Sequence, residues 1–257
     1  MAVLVFIPQV VLILGVDMRL NQYIASCGVC SRRDADKLIE SGQITVNGNT
    51  AHLGDKVEEN DTVIYNGNVL KKEEETVVLA YYKPVGVVCT ERDSHAERTV
   101  IDEIDYDGRV TYAGRLDKDS EGLLLLTNNG RLIEAMMRGK NLHEKEYEVV
   151  VDRDIDEQFI GKMSQGVFLE ELGAKTRPCK VQRIGNRSFD IILTQGLNRQ
   201  IRRMCKTLGR DVVRLKRVRV MTVELKKLDL KAGEYVVLGK EDTDRLMSAA
   251  GLLNLSS

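Results

Sequence analysis

Gly114-Arg115-Leu116-Asp117-Lys118-Asp119-Ser120-Glu121-Gly122 runs straight into Leu123-Leu124-Leu125-Leu126-Thr127-Asn128. The first part reads as a turn bounded by glycines, with an arginine and a carboxylate two residues apart. The second reads as a buried strand, which can hold that turn rigidly. Arg115 can neutralise or steer a nucleic-acid phosphate or a displaced base. Asp117 can serve as a base or a nucleophile, and Asp119 is its nearby competitor. A charged turn fixed to a buried strand suits chemistry better than a mobile loop does.

On both sides of this stretch the chain is rich in strands. The patterns predict strands at Val77–Tyr82, Gly86–Thr90, Arg109–Tyr112, Leu123–Thr127, Glu146–Val151, Thr176–Arg183, Phe189–Thr194, Asp211–Leu215, Val220–Leu225 and Tyr235–Leu238. Helices are predicted at Gly130–Arg138, Asp156–Ser164, Arg199–Leu208 and Glu241–Ala249. Hairpins such as the one turning at Gly185-Asn186 give an α+β class with a mostly antiparallel sheet. This region, 77–257, is expected to be one domain.

Residues 18–66 read as a smaller unit. Leu20, Tyr23 and Ile24 have helical spacing, Ser31 is placed to cap a helix over Arg32–Ser41, and Gly42 ends it. Ile44-Thr45-Val46 then leads into an Asn47-Gly48 turn. Residues 67–76, with Lys71-Lys72-Glu73-Glu74-Glu75, are expected to form a charged linker. Residues 1–17 are expected to be an extension outside the fold. They have neither the basic start nor the cleavage site of a signal peptide, and Val10–Leu14 is too short to span a bilayer.

The 257-residue chain is 43% hydrophobic and carries a net charge of −1, which conceals a segregated basic tract. Between 199 and 219 stand Arg199, Arg202, Arg203, Lys206, Arg210, Arg214, Lys216, Arg217 and Arg219, with Asp211 the lone acid. Such density is a phosphate-binding footprint. Ile201, Met204, Cys205 and Leu208 form an apolar helix stripe, the cations fall on another face, and Asn198 is placed to cap the helix. Five cysteines read as reduced thiols of a cytoplasmic protein. Cys27 and Cys30 have metal-binding spacing but no second pair, so no metal is expected.

Three segments together carry a family resemblance. They are Gly114–Asn128, Lys145-Glu146-Tyr147, and Gln195-Gly196-Leu197-Asn198-Arg199-Gln200-Ile201-Arg202-Arg203-Met204-Cys205. The chain resembles the RsuA-type pseudouridine synthases from Met18 onward. Its first unit resembles the small RNA-binding domain named after a small-subunit ribosomal protein, the S-four domain. The resemblance implies isomerisation of uridine to pseudouridine in RNA, with base flipping and no cofactor. Asp117 is then the catalytic carboxylate, Tyr147 stacks on the target base, and Arg202 pairs with Asp117 to keep it ionised. Arg115, Arg199, Arg203, Lys206 and Arg210 become RNA contacts, as do Arg19, Arg32, Arg33 and Lys37 of the first unit. Lys83-Pro84 resembles a structural turn behind the active site. Within the family, His143–Tyr147, Gln195–Asn198 and Arg219-Val220-Met221 look most like the RluF branch, which acts on large-subunit ribosomal RNA. The implied partner is ribosomal RNA, without membrane attachment, and the enzyme is expected to be monomeric. Two alternatives remain open. One is the same reaction on small-subunit ribosomal RNA or tRNA. The other is a non-catalytic RNA-binding or ribosome-assembly protein, which would have no need of Asp117, Tyr147 and Arg202 together.

Overall fold

A computed structural model describes residues 18–58, 60–71, 75–90 and 98–253, so the expected extension at 1–17 lies outside the described residues. The chain divides after Glu74 into two compact units.

In the first unit, helices Leu20–Ser26 and Arg32–Glu40 accompany a four-stranded antiparallel sheet. Its order is Asn49–Thr50, Ile44–Val46, Val63–Tyr65, Asn68–Val69. Ser31 caps the second helix, its Oγ accepting from the Asp34 amide at 3.2 Å. Asn47 and Gly48 both take positive φ, the backbone of a tight hairpin turn. Leu20, Ile24, Ala35, Ile39, Ile44 and Val63 form the core.

The expected linker at 67–76 is corrected by this unit. Asn68–Val69 pairs with Ile64–Tyr65, Leu70 is buried, and the Leu70 carbonyl accepts from the Tyr23 hydroxyl at 3.0 Å. The left-handed Asn66-Gly67 turn folds these residues back onto the unit. At the other end, Glu75 and Thr76 accept hydrogen bonds from the side chains of Asn128 and Asn129 in the second unit.

The second unit is built on a nine-stranded sheet. Its main path runs Lys180–Gly185, Ser188–Leu193, Lys145–Val151, Val212–Val220, Glu121–Thr127, Val78–Lys83, Tyr235–Val237. All pairings along this path are antiparallel except that of Val212–Val220 with Glu121–Thr127. The α+β class with a mostly antiparallel sheet is therefore what the sequence implied.

The leucine run is explained by cover on both faces of the sheet. Leu123 and Leu125 pack with Val78, Ala80, Leu132, Met136 and Leu246 on one face. Leu124 and Leu126 pack with Leu79, Tyr81, Val87, Val100 and Leu116 on the other. Further along the sheet, Val149, Phe189 and Ile191 pack with Phe159, Met163, Ile201 and Met204, and so anchor helices Glu157–Ser164 and Gln200–Thr207.

Three strand expectations change. The expected strands Asp211–Leu215 and Val220–Leu225 become one nine-residue strand, Val212–Val220, after which Met221 turns left-handed and Val223–Glu224 folds back. Among the described residues, Gly86–Thr90 makes a single bridge, Val88 to Thr99. The expected Thr176–Arg183 strand begins at Lys180. Pro178 lacks a ladder donor, and Ala174–Lys175 pairs instead with Phe168–Leu169. Among the described residues, no helix is long and apolar enough to cross a membrane.

Candidate active site

The turn ahead of Glu121–Thr127 is held from three sides. The Ser120 amide donates to the Asp117 carbonyl at 3.1 Å, and the Gly86 amide donates to the Lys118 carbonyl at 2.8 Å. Leu116 is buried and its amide reaches the Cys89 sulfur at 3.4 Å. Beneath the turn lies Arg217, only 2% exposed. Its Nε donates to the Leu123 carbonyl at 2.7 Å and its Nη1 to the Arg115 carbonyl at 3.4 Å, while its buried Nη2 has no hydrogen-bond partner among the described residues. Gly122 makes this approach possible. A Cβ there would lie 2.2 Å from the Arg217 carbonyl oxygen.

On this scaffold Asp117 presents a carboxylate that is 37% exposed. Among the described residues, the guanidinium nearest to it belongs to Arg199, with Nη1 3.6 Å from Oδ2. This corrects the expected pairing with Arg202. Arg202 instead lies 3.3 Å from the Asp119 carboxylate through Nε, and it donates to the Asp119 carbonyl at 2.7 Å and the Val212 carbonyl at 3.1 Å. The cause is local geometry. Arg199 occupies the N-cap of helix Gln200–Thr207 in the left-handed conformation. Asn198, expected as the cap, accepts from Arg203 through its side chain and carbonyl.

Cations crowd the same sheet face. Lys83 is fully buried and donates to the Pro84 carbonyl at 2.8 Å. Burial pushes its pKa down, against the pull of Cys89, Asp119 and Asp117. Lys83 therefore lies within electrostatic reach of Asp117 and Asp119. Tyr147, opposite Arg217 in the ladder, is partly buried and packs on two core clusters. Lys145, two residues earlier on that strand face, has its pKa lowered to about 8, by burial first and by the Arg217 charge second. Sequence reasoning missed Lys145 and Arg217 as site residues. Their signal was a lysine two before the tyrosine and a cation in alternation with buried Leu215.

The other expected RNA contacts differ in their freedom. Arg115 and Lys206 are exposed. Arg203 is paired with Glu171, and Arg210 donates to the Asp154 carbonyl and sits over the Phe159 ring. In the first unit Arg19, Arg32 and Arg33 are exposed, and Lys37 pairs with Asp34 at 3.0 Å. Cys27 and Cys30 are partly buried against that unit's core. Among the described residues, no group of three or more His, Cys, Asp or Glu side chains could hold a metal ion.

Residues 77–207 match the family model described as RNA pseudouridylate synthase. The chain belongs to this family. Residues 18–63 match the S4 domain, so this pseudouridine synthase carries an N-terminal RNA-binding module of that type. It is 46% identical over 220 residues to the dual-specificity RNA pseudouridine synthase RluF of Escherichia coli K12, covering 85% of this chain and 74% of that protein. It is 36% identical over 238 residues to the ribosomal large subunit pseudouridine synthase B of Vibrio cholerae, covering 85% of this chain and 74% of that protein. A crystal structure of a pseudouridylate synthase matches the fold with a TM-score of 0.66 at 28% identity, over 89% of this chain and 99% of the other. The expected family, fold and enzyme class all agree with these likenesses.

Proposed function

We propose that this pseudouridine synthase modifies a uridine of large-subunit ribosomal RNA, with Asp117 as its catalytic carboxylate. The observation that carries the reading is Asp117 itself, a half-exposed acid on a turn fixed by Leu116, Gly122 and the buried Arg217. The relatives' names support the choice of RNA. One is a large-subunit enzyme and the other a dual-specificity RNA enzyme. The dual designation also favours a second reading, in which a further RNA such as tRNA is modified as well.

The target nucleotide is flipped out of its helix, at a cost of a few kcal/mol in stacking. Tyr147 stacks on the uracil, a contact worth about 1–3 kcal/mol and tolerant of rotation. The bond between the ribose and the base nitrogen breaks, the base turns, and a carbon–carbon bond forms to the same ribose; the ring carbon gives up its proton and the freed nitrogen takes one, so the atoms balance. Asp117 acts at the sugar, by attack on carbon or by removal of a sugar proton to give a glycal. Activity is expected to survive exhaustive chelation in a monomeric, cytoplasmic enzyme, and loss of turnover in chelator with RNA folding controlled would overturn that expectation.

Asp117→Asn keeps the shape and removes the base. It should abolish pseudouridine formation in single-turnover assays while RNA binding stays near wild type. Activity within about tenfold of wild type, a barrier change of only about 1.4 kcal/mol, would overturn the assignment. Pseudouridine mapping of total RNA from cells with and without the protein identifies the target and tests the choice of RNA.

A further inference from the structure

Asp119 plays no part in the reaction just proposed, yet two arginines converge on it. Arg199 holds its carboxylate in a fork, Nη1 to Oδ1 at 3.3 Å and Nη2 to Oδ2 at 2.8 Å. Arg202 approaches Oδ2 through Nε at 3.3 Å, and its Nη2 donates to the Asp119 carbonyl at 2.7 Å and the Ser120 hydroxyl at 3.3 Å. The Arg199 Nη1 that bonds Asp119 is also the atom 3.6 Å from Asp117. One guanidinium thus spans both carboxylates, and the nearer is Asp119.

The fork is poorly placed to serve stability. The Asp119 side chain is 46% exposed and that of Arg199 is 42% exposed, and ion pairs so open to water contribute little. What a bidentate pair does fix is direction. Burial pushes the Asp119 carboxyl up, but the Arg199 hydrogen bonds and the Arg202 charge outweigh it and hold its pKa below the ordinary value. Asp119 therefore remains an anion, and a permanent competitor for Arg199, at neutral pH.

We infer that Asp119 is a positioning residue for the isomerisation: it draws Arg199 to one side of Asp117 and keeps Arg199 and Arg202 from RNA phosphates. Asp117 then meets the sugar beside a cation without being closed into an ion pair by it. The inference rests on Asp117 being the catalytic carboxylate. If Asp119 is neutral, Asp117 becomes the nearest acid to Arg199, and the guanidinium closes over the oxygens that the reaction needs. Whatever positive charge is released becomes available to RNA.

The test compares Asp119→Asn, Asp119→Glu, Asp117→Asn and the double variant Asp119→Asn with Arg199→Gln. The substrate is an in vitro transcript of the source organism's large-subunit ribosomal RNA. Asp119→Asn should lower kcat by at least about tenfold with KM unchanged or lower. Its log affinity should fall with log salt more steeply, by about 0.7–0.9 for one released phosphate contact. Asp119→Glu should regain most of the lost kcat. The double variant should regain part of the lost kcat, because Arg199 can no longer close over Asp117, and should keep the steeper salt slope of the released Arg202. A kcat for Asp119→Asn within about threefold of wild type would overturn the inference. So would parallel losses in kcat, KM and melting temperature, or failure to fold, since those mark a structural prop. Activity in Asp117→Asn would instead sink the catalytic assignment, so the two failures are read from different variants.

Discussion

At the residue scale, the site is a carboxylate pair among more cations than it can neutralise. Lys145 gives this a measurable form. Its pKa is about 8 in the folded chain against an ordinary 10.5. Between those values the unfolded chain binds more protons than the folded one, so Lys145 makes stability rise with pH across that window. Denaturant unfolding of wild type and Lys145→Met at pH 7.5, 9 and 10.5 should show the rise in wild type and its loss in the variant. Equal slopes in both would mean that the amine is not held beside Arg217. The turn that carries Asp117 was legible in the sequence because it is contiguous and its neighbours are named by position alone. The partner of Arg202 was not. Arg199 and Asp119 lie 80 residues apart, and which acid a guanidinium meets depends on the left-handed entry to its helix. Lys145 and Arg217 escaped notice for a related reason, since a cation's burial shows only once both strands are paired.

At the element scale, the Glu121–Thr127 strand does two jobs. Its leucines fill both faces of the sheet, and its Gly122 admits the backbone of Val212–Val220. Gly122→Ala should therefore be far more damaging than a surface change. The added methyl would overlap the Arg217 backbone in a φ of 110° that disfavours any side chain. Overpacking and strain together should cost on the order of 2–5 kcal/mol, seen as a lower urea midpoint. A loss below about 0.5 kcal/mol would show that the two strands can part cheaply. Strands with apolar alternation or an apolar run were readable. The boundary inside Asp211–Leu225 was misread, because charge in that tract hides a continuous ladder whose inward positions are Leu215 and Arg217. Val69 and Leu70 were likewise hidden by the lysines and glutamates that follow them.

At the scale of the whole molecule, each unit has its own core, Leu20 to Leu70 in the first and three clusters in the second. The fragment 75–257 is therefore expected to fold alone, with a cooperative urea transition and strand-rich circular dichroism. It should bind RNA more weakly and choose sites less sharply than the full chain. Insolubility or a non-cooperative melt would show that the first unit is required for folding.

The parallel contact between Glu121–Thr127 and Val212–Val220 also orders events in time. Arg217 lies 94 residues beyond the Leu123 carbonyl that it holds, and Arg202 lies 83 beyond Asp119. At about 5–20 residues per second, a growing chain carries Asp117 for roughly 5–20 s before Arg217 is made. During that interval the turn lacks its buried support, and for most of it the two arginines as well. A nascent chain that has not yet reached Arg217 has no ordered site to offer RNA, and the catalyst comes into being only once both strands have been made.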